Sequence, residues 1–144
     1  LNVVISQEQR IEQKNLSING LDEIESAFLN ADRDLLHQVV YNLVDNAIKF
    51  VDENGVINFK LKADSKKLMF EISNTGKGIP SEELKFIFER FYKVDKSRSA
   101  NKNSTGLGLY IVKTIIHAHG GKIAVTSREN EYTAFKFTLP IMTM

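Results

Sequence analysis

Cysteine is absent from the 144 residues, and with it go disulfide frameworks, thiolate zinc sites and cysteine nucleophiles. An excess of one charge is missing too. The formal net charge is +1, whereas a dedicated nucleic-acid binder usually carries a strongly basic domain, so no nucleic-acid partner is expected. No apolar run approaches the roughly 20 residues needed to span a bilayer, and no stretch reads as a signal peptide. The chain opens on Leu1, not Met; it reads as a fragment of a longer protein, with room for a membrane segment upstream. What remains is ordinary: 42% hydrophobic and 26% charged residues fit one domain able to bury its own core.

The richest stretch is Asp34 to Phe50, DLLHQVVYNLVDNAIKF, which has no Pro or Gly. Leu36, Val39, Val40, Leu43, Val44 and Ala47 recur at helical spacing as one apolar stripe. Asn42, Asn46 and Lys49 follow one another at i, i+4 and i+7 beside it, with Phe50 at its edge. Two amides, an amine and an aromatic on one rim suit a binding face. A capped surface helix with incidental Asn is the plain alternative.

Around that helix the chain is read in order. Residues 1–15 are the tail of an upstream helix or linker. Leu16 to Ile18 and Ala27 to Leu29 are short strands around the Asn19-Gly20 turn. Asn30 to Asp34 offers N-caps for the central helix, and Asp52 to Gly55 is a turn. Val56 to Ala63 and Leu68 to Ser73 form a hairpin across Asp64 to Lys67. Ser81 caps a short helix with Leu84, Ile87 and Phe88 apolar. Lys93 to Thr105 has no periodicity, and long loops of this kind are usually lids or binding loops. A helix from Gly106 to about His119 is stopped by Gly120-Gly121. Strands Lys122 to Ser127 and Thr133 to Leu139 close the chain. The order gives an α/β fold: a two-layer sandwich of a mixed sheet with helices on one face and a long lid loop.

Gly76 and Gly78 directly follow a strand, and Gly106 and Gly108 open a helix. Either pair lets backbone approach a ligand, and a helix start offers free N–H groups to phosphate. Glycines at turns are more often structural. GxxxxGK[ST] and GxGxxG are both missing, as is the eukaryotic-type kinase signature. Between the pairs, Arg90, Lys93, Lys96, Arg98 and Lys102 face a single Asp95. A solvated charge run explains them; so does a lid that neutralises a polyphosphate.

Four stretches together resemble the boxes of sensor histidine kinases. Asn42 to Phe50 (NLVDNAIKF) looks like the N box, and Asn74 to Pro80 (NTGKGIP) like the first glycine box. Phe88 to Tyr92 (FERFY) resembles the F box, and Thr105 to Leu109 (TGLGL) the second glycine box. His119 to Ile123 and Phe135 to Pro140 match the family's ending, so the resemblance spans 32–140. It implies the Bergerat ATP-binding fold of the GHKL superfamily, a catalytic and ATP-binding domain over 16–140 and an ATP lid over 93–105. It also implies ATP and Mg2+ as ligands. Asn46 matches the magnesium-binding Asn, whose amide oxygen is a hard neutral ligand. Lys49 matches a phosphate-contacting Lys and Phe50 an aromatic of the nucleotide pocket. Ile79 would pack on adenine beside Gly76 and Gly78, with Phe91 and Tyr92 of the F box nearby. Lys93 and Arg98 would be the lid cations on the phosphates. Thr105 and the N–H groups of Gly106, Leu107, Gly108 and Leu109 would hold the phosphate end.

Two positions depart from related patterns. GHKL ATPases carry a Glu general base four residues before the magnesium Asn; here the position is Asn42, and an amide cannot take a proton near pH 7. A histidine kinase has no need of that base, because a neutral imidazole is already nucleophilic. Asp45 lies about 100° away around the helix and is a poor substitute. The first glycine box usually begins with an adenine-binding Asp; here it is Asn74, a neutral and weaker acceptor. None of His37, His117 and His119 has the surroundings of a phosphoacceptor, so surface or helix-end roles are expected.

The implied function is transfer of the γ-phosphoryl group of Mg-ATP to a His on a separate dimerisation domain, for relay to a response regulator. The full-length protein would be a homodimeric membrane sensor with this domain in the cytoplasm; the fragment itself would be monomeric. Rival readings are a GHKL ATPase of the topoisomerase or chaperone kind, an anti-sigma-type serine kinase, and a nucleotide-binding module of reduced activity. Asn42 and the F box speak against the ATPase reading.

Overall fold

Strand alternation, not helix content, sets the architecture. In a computed structural model, residues 2–21, 32–90, 92 and 107–141 are described. Helices α1 (Asn2–Ser6) and α2 (Glu8–Lys14) lead into strand β1 (Ser17–Asn19). Helix α3 (Arg33–Phe50) precedes the hairpin of β2 (Val56–Ala63) and β3 (Lys67–Thr75). Helix α4 (Gly108–Ala118) precedes the hairpin of β4 (Lys122–Arg128) and β5 (Tyr132–Pro140). The strands form one mixed sheet in the order β1-β2-β3-β5-β4. Among the described residues only β1 and β2 are parallel; the other pairings are antiparallel.

Register puts every second residue on one face. Phe59 lies opposite Ile72, and Ile72 opposite Phe135. Phe70 lies opposite Phe137, their rings stacked with centroids 5.1 Å apart. On the other face Glu71 sits between Lys60 and Lys136, an opposite-charge row across three strands. Helices α3 and α4 cover the apolar face with Leu43, Val44, Ala47 and Ile48, and with Val112, Ile115 and Ile116, all buried. Burial of each large aliphatic side chain contributes about 1.5–3 kcal/mol.

Both ends of α3 are held by side chains. The Asp32 carboxylate accepts from the Leu35 N–H at 3.0 Å, an N-cap of the expected kind. At the other end the Lys14 ammonium donates to the carbonyls of Ile48 at 2.7 Å and Val51 at 3.2 Å, where the helix dipole favours a cation.

Three features differ from the sequence reading. The segment after Ser81 is a run of turns, not a helix: Glu83, Leu84, Phe86, Glu89 and Tyr92 each donate to the carbonyl three residues back. Tyr92 also donates its hydroxyl to Glu83, a closure across nine residues that a helix of 5.4 Å pitch would not permit. Strand β3 runs on through Thr75 because it is central, with Thr75 still opposite Tyr132 of β5. Residues 2–14 form two short helices of this domain, with Val3 in its core. The expected strand at Ala27 to Leu29 and the lid over 93–105 lie outside the described residues.

Candidate functional site

The C-terminal half of α3 is the floor of the site. Asn42, Asn46 and Lys49 are half-buried along it, and Phe50 is 40% exposed at its end. Asn42 meets the second glycine box directly: its Nδ2 donates to the Gly108 carbonyl at 3.4 Å, so its amide is oriented by the first turn of α4. The Lys49 ammonium lies 3.1 Å from Asp45 Oδ2 one turn back, and Arg10 lies 2.7 Å from Asp45 Oδ1. Asp45 is thus held between two cations.

The first glycine box forms the adjoining wall and is fixed from both sides. Val51 and Gly76 make an isolated antiparallel bridge. Gly76 has φ +144°, and a Cβ there would lie 2.5 Å from the Phe50 carbonyl. Gly78 has φ +70°, and a Cβ there would lie 2.4 Å from the Arg128 carbonyl. Only glycine fits either place. From the β4–β5 side, Asn130 N–H donates to the Lys77 carbonyl at 2.6 Å. The buried Ile79 receives the Ser127 hydroxyl, its own N–H donating at 2.7 Å. Thr75 donates to Asp52 Oδ1 at 2.7 Å and accepts from Val56 N–H at 3.0 Å. Asn74 is buried and donates its Nδ2 to the Thr75 carbonyl at 3.0 Å. One N–H of its amide is engaged there, and the oxygen is the group able to accept from an incoming donor.

The second glycine box is described from Leu107. Gly108 opens α4, and a Cβ there would meet nothing within 4 Å. Arg90, counted above with the basic stretch, donates to the Tyr110 hydroxyl at 2.9 Å with its guanidinium 4.8 Å from the ring centroid. This contact joins the residues on either side of 93–105 and holds the Tyr110 pKa below its usual value. Tyr92, half-buried, has its pKa pushed up to about 12, first by its hydrogen bond to the Glu83 carboxylate. Phe91, Lys93, Arg98, Thr105 and Gly106 lie outside the described residues.

The three histidines are elsewhere. His37 and His117 are exposed. His119 bridges the helix ends: with Nδ1–H donating to the Ile115 carbonyl at 2.9 Å, Nε2 accepts from Asp32 N–H at 3.2 Å. Sequence reasoning did not find Arg10, Lys14 or Ser127. Arg10 and Lys14 are one turn apart on α2, a weak signal; Ser127 has none beyond its inward place in β4.

A helix rim of amides and an amine, walled by one glycine turn and met by the glycine start of a second helix, defines a nucleotide-binding α/β domain. A family model described as "Histidine kinase-, DNA gyrase B-, and HSP90-like ATPase" matches residues 31–143. The catalytic domain of histidine kinase ThkA superposes with a TM-score of 0.80 at 33% identity, covering 99% of this chain and 91% of that one. ThkA in complex with the response regulator protein TrrA gives 0.75 at 31% identity, covering 98% of this chain and 39% of that one. The signal transduction histidine-protein kinase ArlS of Staphylococcus haemolyticus is 42% identical over 108 residues, 75% of this chain. The chain therefore belongs to this ATPase family and, within it, to the catalytic domains of histidine kinases. It spans 24% of the ArlS sequence.

Proposed function

We propose that this chain is the catalytic, ATP-binding part of a sensor histidine kinase. It binds Mg-ATP and passes the γ-phosphoryl group to an imidazole on a separate dimerisation domain, which relays it to a response regulator. The observation that carries the reading is the meeting of the boxes: Asn42 on the α3 rim touches Gly108, while the first glycine box is pinned to the end of the same helix. The complex of ThkA with its response regulator supports the relay.

The roles follow the family's boxes. The Asn74 oxygen accepts from the adenine exocyclic amine, and Ile79 covers the ring with Phe50 at the mouth. Tyr92 and Phe91 complete that end. Lys49 reaches the phosphates, joined by Lys93 and Arg98 of the lid. Thr105 and the backbone from Gly106 to Leu109 hold the terminal phosphate, as helix starts do. Among the described residues there is no group of three or more His, Cys, Asp or Glu able to hold a metal. Magnesium would take a single protein oxygen, from the half-buried Asn46, and the rest from phosphates and water. When bound, the ion neutralises charge on the phosphates.

Transfer breaks the bond from the γ-phosphorus to the bridging oxygen and forms a phosphorus–nitrogen bond, with ADP leaving. The chain's part is to hold and align. On the described α3 rim, the position of the ATPase base is Asn42, an amide fixed on Gly108, and the neighbouring carboxylate, Asp45, is tied to Arg10 and Lys49. This favours a kinase over a hydrolase. The whole protein would be a homodimeric membrane sensor with this domain on the cytoplasmic side. The test is incubation with γ-labelled ATP and a separately produced acceptor domain of the full-length protein. Label on the acceptor imidazole is expected; intact nucleotide binding without transfer would overturn the kinase reading.

A further inference from the structure

Arg10 lies outside all four boxes, yet its guanidinium is the outermost link of a chain that ends at the site. The Arg10 Nη1 donates to the buried Gln7 Oε1 at 2.9 Å and to Asp45 Oδ1 at 2.7 Å. The other Asp45 oxygen lies 3.1 Å from the Lys49 ammonium. One turn along α2, Lys14 holds the carbonyls at the end of α3. Helix α2 therefore grips the part of α3 that carries Lys49, and it does so through the very carboxylate that competes for that amine.

We infer that Arg10 is a positioning residue for the phosphate-binding lysine: by sharing Asp45, it keeps Lys49 available to phosphate. A carboxylate with two cations holds each less tightly than a carboxylate with one. With Arg10 present, Lys49 can turn to a phosphate and leave Asp45 still paired. Without Arg10, the same move strands a half-buried carboxylate, so Lys49 stays with Asp45. Gln7 keeps the guanidinium aimed, which limits the rotamer entropy lost in making the pair.

The inference rests on the phosphate role proposed for Lys49, and the test separates the two. Mg-ATP is titrated calorimetrically into the wild-type chain, Lys49→Met, Arg10→Ala, Arg10→Lys, Arg10→Ala with Asp45→Asn, and Arg10→Ala with Lys49→Met. Lys49→Met is expected to weaken binding about tenfold, the loss of one charge-assisted contact. Arg10→Ala is expected to weaken it roughly two- to fivefold, the range of a part-exposed ion pair. Arg10→Lys keeps wild-type affinity, and adding Asp45→Asn to Arg10→Ala restores it. In the Lys49→Met background, Arg10→Ala changes nothing further. No effect of Lys49→Met would overturn the phosphate role itself. A normal Lys49→Met result with no rescue by Asp45→Asn would overturn the inference and make Arg10 a packing residue. Persistence of the Arg10→Ala loss in the Lys49→Met background would overturn it in favour of a long-range field on the phosphates.

Discussion

Alanine at Gly78 and at Gly108 should have opposite effects on folding, although both glycines belong to boxes that resemble nucleotide loops. Gly78 has φ +70°, and its added methyl would sit 2.4 Å from the Arg128 carbonyl. A left-handed backbone costs a non-glycine residue about 1–2 kcal/mol. The clash then pushes the β4–β5 turn away, stretching the hydrogen bonds from Asn130 to Lys77 and from Ile79 to Ser127. Each such bond contributes about 0.5–1.5 kcal/mol. Gly78→Ala is therefore expected to lose about 2–4 kcal/mol of stability in urea unfolding. Gly108 opens α4 with no atom within 4 Å of the added methyl. Gly108→Ala should leave stability unchanged or raise it by up to about 1 kcal/mol, since Ala is the better helix former. Its cost falls on ligand approach: nucleotide affinity should drop about tenfold, roughly 1.4 kcal/mol. The reasoning is refuted if Gly78→Ala unfolds with the wild-type midpoint, or if Gly108→Ala destabilises the free chain as Gly78→Ala does.

Three further outcomes are expected. Ser127→Ala removes the acceptor of the buried Ile79 N–H and should cost about 1–2 kcal/mol by denaturant unfolding; an unchanged midpoint would mean the glycine box does not depend on that hydroxyl. Lys14→Met withdraws the ammonium from the α3 terminus and should cost about 0.3–1 kcal/mol, with faster amide exchange confined to the last turn of α3. In ultraviolet titration Tyr92 should ionise at about 12 and Tyr110 below the usual 10.0. Because Tyr92 holds its proton more tightly when folded, its contribution to stability is full below pH 10.0 and lost as pH rises through about 12. Tyr92→Phe should abolish the highest titration step.

The sheet was legible because its strands alternate cleanly: VINFKLKA and LMFEIS each put apolar residues on one face, and β2 and β3 pair as that pattern requires. The central helix was legible from its stripe, and Asp32 caps it from within the stretch marked for caps. The turns after Ser81 were misread because Leu84, Ile87 and Phe88 have helical spacing, whereas the folded segment closes on itself with Tyr92 bonded to Glu83 nine residues back. The same limit hid the supports of the site. Asn42, Asn46 and Lys49 stand out because they share one helix rim, a local property. Arg10 is 35 residues from Asp45 in the chain, and Ser127 is 48 from Ile79. Nothing in their neighbourhoods announces partners so distant, and only the folded sheet brings them together.

The most direct test of the central claim is calorimetric titration of ADP and ATP, with and without magnesium, into the chain and its Asn46→Ala and Asn74→Asp variants. The account predicts binding between micromolar and sub-millimolar, roughly −8 to −5 kcal/mol. Asn46→Ala should remove only the magnesium-dependent part, and Asn74→Asp should tighten adenine binding. A wild-type chain that takes up neither nucleotide, or an Asn46→Ala variant that keeps the full magnesium effect, would contradict it.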